Sequence, residues 1–152
     1  MPQGGFKVLQ DIGAIKSGSG SEIKFSVDEY RGHPYGSIRK YLKGDTYTGP
    51  TRSGVTMSPA IVTGILEALE KLPPEPTAIK EEEIGRYAKR PGLMLVARIT
   101  IYMDSTGIDL REWQDDVSYK GWTKRGIRLP YDQLVMIKSF FAKMREAMPA
   151  TE

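Results

Sequence analysis

The sequence predicts an α+β fold made of two ββββα repeats, each a curved antiparallel four-stranded sheet followed by a helix. Three observations predict it: an internal repeat, alternating apolar residues that precede a helical pattern in each copy, and a proline-rich segment between the copies. Because all the strands of a copy precede its helix, neighbouring strands can pair as hairpins while the helix covers one face of the sheet.

The internal repeat becomes visible when the 152-residue sequence is compared with itself at a shift of 72 positions. Eleven of the 62 positions from 11 to 72 are then identical without a gap. The repeated residues are Ile12/Ile84, Gly13/Gly85, Gly20/Gly92, Tyr30/Tyr102, Arg39/Arg111, Tyr47/Tyr119, Gly49/Gly121, Thr51/Thr123, Gly54/Gly126, Ile65/Ile137 and Lys71/Lys143. A fixed period of this kind indicates a duplicated structural unit. We therefore predict a first repeat at 1–72, a proline-rich linker at 73–78 and a second repeat at 79–148.

The first repeat contains four strand patterns and one helix pattern. Apolar residues suggest a strand over 6–15, and alternation predicts strands over 22–31, 36–42 and 52–57. Ser58 and Pro59 suit a helix start, because serine can cap the free amides and proline fits the first turn. Apolar residues then follow helical spacing to residue 72.

The second repeat predicts the same elements, with strands near 94–103, 107–114 and 123–129 and a helix over 131–147. A repeat of about 70 residues has a marginal core by itself. We therefore expect the two helices to pack together, burying Leu66, Phe140 and Phe141, so that one chain forms an intrachain pseudo-dimer.

Composition excludes several classes of function. There is no cysteine and only one histidine, His33, so a thiolate nucleophile, a cysteine zinc site and any histidine pair are impossible. No apolar run approaches the ~18 residues of a membrane helix, and no signal peptide is visible. We therefore expect a cytoplasmic protein, nucleoid-associated if bacterial, that is not an enzyme and has no cofactor, metal or membrane partner. Its net charge of +3 permits a nucleic-acid partner.

Strand alternation assigns the two faces of each sheet. Ile23, Val27, Ile38 and Val55 should face the helix, which leaves the opposite face open to solvent. That outer face carries cations and aromatic rings, namely Lys24, Tyr30, Arg39, Tyr41 and Arg52 in the first repeat and Arg98, Tyr102, Arg111, Trp113, Lys124 and Arg128 in the second. Cations bind phosphates and rings stack on unpaired bases, so this face predicts a single-stranded nucleic-acid partner. The alternative is an ordinary half-polar sheet, since strands favour aromatic residues anyway.

Two motifs resemble a known family. The segments at 38–41 and 52–59, and their counterparts at 108–113 and 124–129, are similar to the core of the positive cofactor four family of single-stranded DNA-binding transcriptional coactivators and their bacterial and phage relatives. The resemblance implies ββββα subunits that pair through their helices and grip single strands with Arg, Lys and aromatic side chains. The contacts it implies are Tyr30, Arg39, Tyr41, Arg52, Tyr102, Arg111, Trp113, Lys124 and Arg125.

Three features depart from that family. Most members carry one copy and this chain carries two; Ser53 stands where the second copy has Arg125; and Trp122 stands where the first copy has Pro50. The purine-rich-element-binding proteins, with tandem repeats of related topology, are an alternative family.

Together these observations predict a single-stranded nucleic-acid-binding protein of low sequence specificity, acting in transcription, replication or recombination. Single-stranded DNA is the expected partner, with RNA as the alternative, and the chain should act as a monomer, with further dimerisation as the alternative. One alternative is a protein-interaction module that binds acidic transcription or replication proteins. A nuclease is a further alternative, but it would lack metal ligands.

Charge predicts an asymmetry between the repeats. Residues 84–148 carry twelve basic and seven acidic residues, whereas 11–72 carry eight and seven, so we expect the second repeat to supply more of the affinity. The acidic run at 81–83 is either an exposed segment or a phosphate mimic that lies across a basic face.

Overall fold

The computed structural model describes residues 6–17, 20–77 and 80–148. The start of the predicted first repeat and the predicted boundary between linker and second repeat at 78 and 79 lie outside these residues. The first repeat consists of β1 (Phe6–Lys16), β2 (Ser21–Tyr30), β3 (His33–Lys43), β4 (Thr48–Met57) and α1 (Pro59–Glu70). The second consists of β5 (Glu82–Arg90), β6 (Leu93–Tyr102), β7 (Ser105–Asp115), β8 (Lys120–Pro130), a 3-10 turn (Tyr131–Gln133) and α2 (Leu134–Ala147).

Each repeat forms its own antiparallel sheet, with strand orders β1-β2-β3-β4 and β5-β6-β7-β8. The predicted ββββα order and α+β class are therefore confirmed. The N-terminus of α1 is capped as expected, because the backbone N–H of Ile61 donates to the Ser58 hydroxyl at 3.3 Å. The predicted start of the second helix is three residues early. Pro130 has no side-chain acceptor to cap a helix, and a tighter 3-10 turn precedes α2.

The duplication extends to irregular details of the two sheets. A β-bulge interrupts the pairing after Arg39 in β3 and after Arg111 in β7. In the following hairpins the hydroxyl of Tyr47 donates to the Pro50 carbonyl and that of Tyr119 donates to the Trp122 carbonyl, both at 2.6 Å. The 72-residue repeat is thus a true structural repeat, and the bulges place matching arginines at matching points of the two sheets.

The two repeats share one hydrophobic core rather than building one each. Helices α1 and α2 contact each other, and each also packs on the first strand of the other repeat. The ring of Phe140 lies 4.9 Å from that of Phe25 in β2 and rests on Gly13, where a Cβ would come within 2.5 Å of it. From the other side, the Tyr87 hydroxyl donates to the Gly64 carbonyl of α1 at 2.9 Å. The predicted intrachain pseudo-dimer is confirmed.

The last strands of the two sheets, β4 and β8, lie alongside each other, and we call this boundary the seam. Lys89 of β5 binds the Glu112 carboxylate of its own sheet at 2.7 Å and also donates to the hydroxyl of Thr56, in β4 of the first repeat, at 3.3 Å. Because Lys89 and Glu112 are both largely buried, this pair and its hydrogen bond to β4 fix the two sheets relative to each other. None of the helices in the described residues is long and apolar enough to cross a membrane.

Candidate nucleic-acid interface

The predicted assignment of sheet faces is confirmed for the apolar residues. Ile23, Val27, Ile38 and Val55 are buried in the core, and Lys24 pairs directly with Arg39 on the opposite, outer face. The expectation that this outer face is open throughout is wrong for the second sheet. There Val96, Thr100 and Asp109 point outward by register but retain only 0%, 7% and 4% exposure, because neighbouring long side chains cover them.

Long arginine side chains cover the outer face of the second sheet, and they bind polar groups of that same face. Arg98 and Arg111 both contact the buried carboxylate of Asp109, at 3.5 and 3.3 Å. The guanidinium of Arg128 donates to the Thr100 hydroxyl at 2.9 Å and to the Ser105 carbonyl at 2.8 Å. These three arginines are therefore largely engaged within the protein.

Aromatic and acidic side chains also cover part of the outer face of the second sheet. Arg98 lies over the Trp122 ring at 4.3 Å, and Trp122 meets Trp113 edge to face at 4.8 Å between centroids. Glu81, from the acidic run, contacts Arg98 at 3.8 Å, whereas Glu83 binds Arg86 at 2.9 Å. The arginine lowers the pKa of the Glu83 carboxyl by hydrogen bonding to it. Because Glu83 pairs directly with Arg98 between β5 and β6, both Glu81 and Glu83 lie against the basic face of the second sheet.

The cations on the outer face of the first sheet have fewer partners within the protein. Arg39 donates one hydrogen bond from Nη1 to the Thr51 carbonyl at 3.0 Å, and it forms no ion pair within the part of the chain that the structure describes. Lys24 lies over the Tyr41 ring at 4.3 Å, with the exposed Glu22 carboxylate 3.9 Å away. Such an exposed pair contributes little and leaves the ammonium available to solvent or to a ligand.

Glycine in the last strand of each sheet makes room for the repeated arginine. Gly54 pairs with Arg39, and Gly126 pairs with Arg111. A Cβ at Gly54 would lie 3.0 Å from Arg39 Cζ, and one at Gly126 would lie 2.6 Å from Arg111 Cζ. Each guanidinium therefore lies across a glycine of the last strand, where a larger residue would displace it.

The seam holds a cleft of about 550 Å³, which we call the seam cleft. Its lining includes four cations, Arg39 and Arg52 from the first repeat and Lys124 and Arg125 from the second. The carboxylate that lines it, Glu112, is bound by Lys89. Four of the predicted site residues thus meet at one place, and the cleft is strongly electropositive.

Two hollows continue the seam cleft across the first sheet. The sheet hollow, about 330 Å³, is lined by Asp11, Lys24, Asp28, Tyr35, Arg39 and Tyr41 among others, and shares Arg39 and Thr56 with the seam cleft. The hairpin hollow, about 470 Å³, shares Lys24 and Tyr41 with the sheet hollow and adds Lys16 and Lys43. The three together form a groove that runs from the hairpin ends of the first sheet to the second repeat.

Other predicted site residues lie away from this groove. Tyr30 ends β2, beside Arg31 at 5.1 Å, and lines a separate hollow with His33 and Lys89. Tyr102 is exposed at the end of β6. Neither they nor Arg98, Arg111 and Trp113 line any of the three parts of the groove.

Sequence reasoning missed several residues that shape the site. Asp109 stands two residues before Arg111 in β7, so strand parity alone could have placed it on the outer face beside Arg98 and Arg111. Glu112 has the opposite parity and joins the site only through the seam cleft. Lys16 and Lys43 line the groove because the strand ends that carry them lie side by side in the folded sheet. Within 6–17, 20–77 and 80–148, no three acidic or histidine side chains are placed to hold a metal ion.

No protein-family model matches the sequence, so the resemblance to the positive cofactor four family stays a prediction. No curated protein matches it either. Among solved structures, WHY1 from Arabidopsis thaliana aligns with a TM-score of 0.46 and 8% identity, covering 97% of this chain and 88% of that one. WHY3 from the same plant aligns at 0.45 and 8% over 90% and 86%, and the plant transcriptional regulator PBF-2 at 0.45 and 9% over 93% and 83%. Likenesses this weak do not assign a function.

Proposed function

We propose that this protein binds single-stranded nucleic acid along the groove and uses no catalytic chemistry. The observation that carries the proposal is the seam cleft, where four cations from the two repeats converge with one carboxylate that already has a partner. A surface of this kind attracts a polyanion, and a cleft formed by both repeats requires the whole pseudo-dimer. Transcription, replication or recombination are the settings in which such an activity is useful.

The groove also offers what distinguishes a single strand from a duplex. Tyr41 lies in the groove beside Lys24, so that a ring and a cation are adjacent where a base and its phosphate would lie. Stacking on such a ring needs an unpaired base, because a duplex hides its base faces. Phosphate contacts carry no sequence information, so sequence specificity should be low.

The first test compares ligands. We expect a labelled mixed-sequence single strand, of DNA or RNA, to bind more tightly than the matching duplex in fluorescence anisotropy titrations. Affinity should fall as salt rises, because bound cations release counterions from the phosphates. Equal affinity for single strand and duplex across the salt series would remove the stacking part of the proposal, and no binding at low salt would remove the whole of it.

The second test compares matched arginines of the two repeats. The charge count predicted a larger contribution from the second repeat, but Arg111 is bound to Asp109 whereas Arg39 lines the groove. We therefore expect Arg39→Ala to weaken binding by about 1 kcal/mol more than Arg111→Ala at low salt. The two losses are to be measured by anisotropy on variants with unchanged circular dichroism. A larger loss of affinity from Arg111→Ala would instead support the expectation, drawn from the charge count, that the second repeat contributes more.

A further inference from the structure

The sheet hollow contains a buried carboxylate in the proposed path of the nucleic acid. Asp28 lies in β2 with only 4% exposure, yet it points to the outer face and lines the hollow. Its Oδ1 accepts a hydrogen bond from the Ser26 hydroxyl at 2.9 Å. Burial raises the pKa of this carboxyl, Asp11 of β1 raises it further, and Arg39 of β3 lowers it in part.

In the second repeat, the buried carboxylate on the outer face has cation partners. Asp109 is bound by two arginines, and the counterpart of Asp28 is Thr100, whose hydroxyl accepts from Arg128. Asp28 takes part in no ion pair among the described residues. A buried carboxylate without a cation partner is costly, and it lowers the electrostatic attraction for a polyanion. In a groove lined mainly by cations, a buried carboxylate calls for a role that a hydrogen-bond acceptor can fill.

We propose that Asp28 reads the bases in the sheet hollow by accepting a hydrogen bond from an exocyclic amino group. The inference rests on the proposed function and adds a base preference to it. The hollow, about 330 Å³, is large enough for a flat ring, and Tyr35 and Tyr41 line it together with the carboxylate. A base that enters the hollow presents its edge to Asp28, while the neighbouring phosphates meet Lys24 and Arg39.

The chemistry favours cytosine over uracil or thymine. Carboxylates accept a hydrogen bond from the N4 amino group of cytosine. At the same position uracil and thymine carry a carbonyl oxygen, and an acceptor that faces a buried carboxylate is repelled. Because the two pyrimidines stack alike, a difference between them reports the contact with Asp28 rather than stacking strength.

The decisive measurement is the affinity of the full chain for oligo-dC and oligo-dU of equal length at neutral pH. Wild-type protein should bind oligo-dC about fivefold or more tightly. Asp28→Asn should abolish or reverse this ratio, because its amide can donate to the uracil carbonyl. The matched control is Asp45→Asn, which removes the same charge from an exposed position outside the groove and leaves the ratio of the two affinities unchanged.

The outcomes separate the inference from the proposed function. Tight but equal binding of oligo-dC and oligo-dU by the wild type, or an unchanged ratio in Asp28→Asn, overturns base reading and leaves single-strand binding intact. Failure to bind either oligonucleotide overturns the proposed function itself. If Asp28→Asn does not fold, an oligonucleotide of 2-pyrimidinone, which is cytosine without its amino group, replaces it: wild-type protein should bind this ligand as weakly as oligo-dU, and binding as tight as that of oligo-dC overturns the inference.

Discussion

Removing the four cations of the seam cleft together is expected to lower the affinity for single strands by about a hundredfold or more at low salt. The variant changes Arg39, Arg52, Lys124 and Arg125 to alanine. Each phosphate contact on a single strand contributes about 0.7 to the slope of log affinity against log salt, so four lost contacts should reduce the slope by about 3. Anisotropy titrations over a salt series measure both quantities on the same protein.

The matched control removes the same charge from the helices and their ends. It changes Lys71, Lys138, Lys143 and Arg145 to alanine, residues that lie in α2 or just after α1 and outside the groove. If affinity depends only on net charge, the two variants will lose it equally, and the seam cleft is then not the binding site. A loss confined to the first variant, with the fold unchanged by circular dichroism, assigns the phosphates to the seam.

Separating the repeats is expected to abolish the fold of each half. In the intact chain Phe140 and Phe141 of α2 pack against Phe25 of the first repeat, at 4.9 and 6.3 Å between ring centroids. Cutting the chain between 76 and 77 exposes these rings, and each large apolar side chain left in water costs about 1.5–3 kcal/mol. Since a repeat of about 70 residues has little stability to lose, the fragments 1–76 and 77–152 should be unfolded or self-associated.

Light scattering and circular dichroism on the two fragments test this expectation. The tether through the prolines at 73, 74 and 76 holds one repeat near the other at an effective concentration of roughly millimolar, so an equimolar mixture should recover the fold only at high protein concentration. Two stable, monomeric and folded fragments would contradict the shared core and would make the repeats independent units.

Much of the fold could be predicted because its signals are local. The 72-residue repeat, the alternation that buries Ile23 and Ile38, and the serine–proline start of α1 depend on neighbours along the chain, and all three are confirmed. The pseudo-dimer could also be predicted, because α2 carries more apolar residues than packing on one sheet would bury. The predicted start of α2 was wrong because a 3-10 turn precedes the helix, and the spacing of apolar residues over three positions does not distinguish the two.

The candidate site could be predicted only in part, for a physical reason. Strand parity determines that Arg39, Arg98 and Arg111 share an outer face, because side chains alternate with a period of two. Parity does not determine which of them keep their charge available. That depends on cross-strand register, which sets Asp109 directly opposite Arg98, and on the covering of the second sheet by Trp122.

By itself, then, the sequence determined the repeat, the strand and helix order and the face on which each side chain lies. Only the tertiary structure decided that the arginines of the second sheet are paired internally and that Arg52 and Arg125, 73 positions apart in the chain, line one cleft. The first set of properties follows from backbone periodicity, which acts between residues close in sequence. The second follows from the packing of β4 beside β8, a contact between distant segments that is fixed by the shared core and by the hydrogen bond from Lys89 to Thr56.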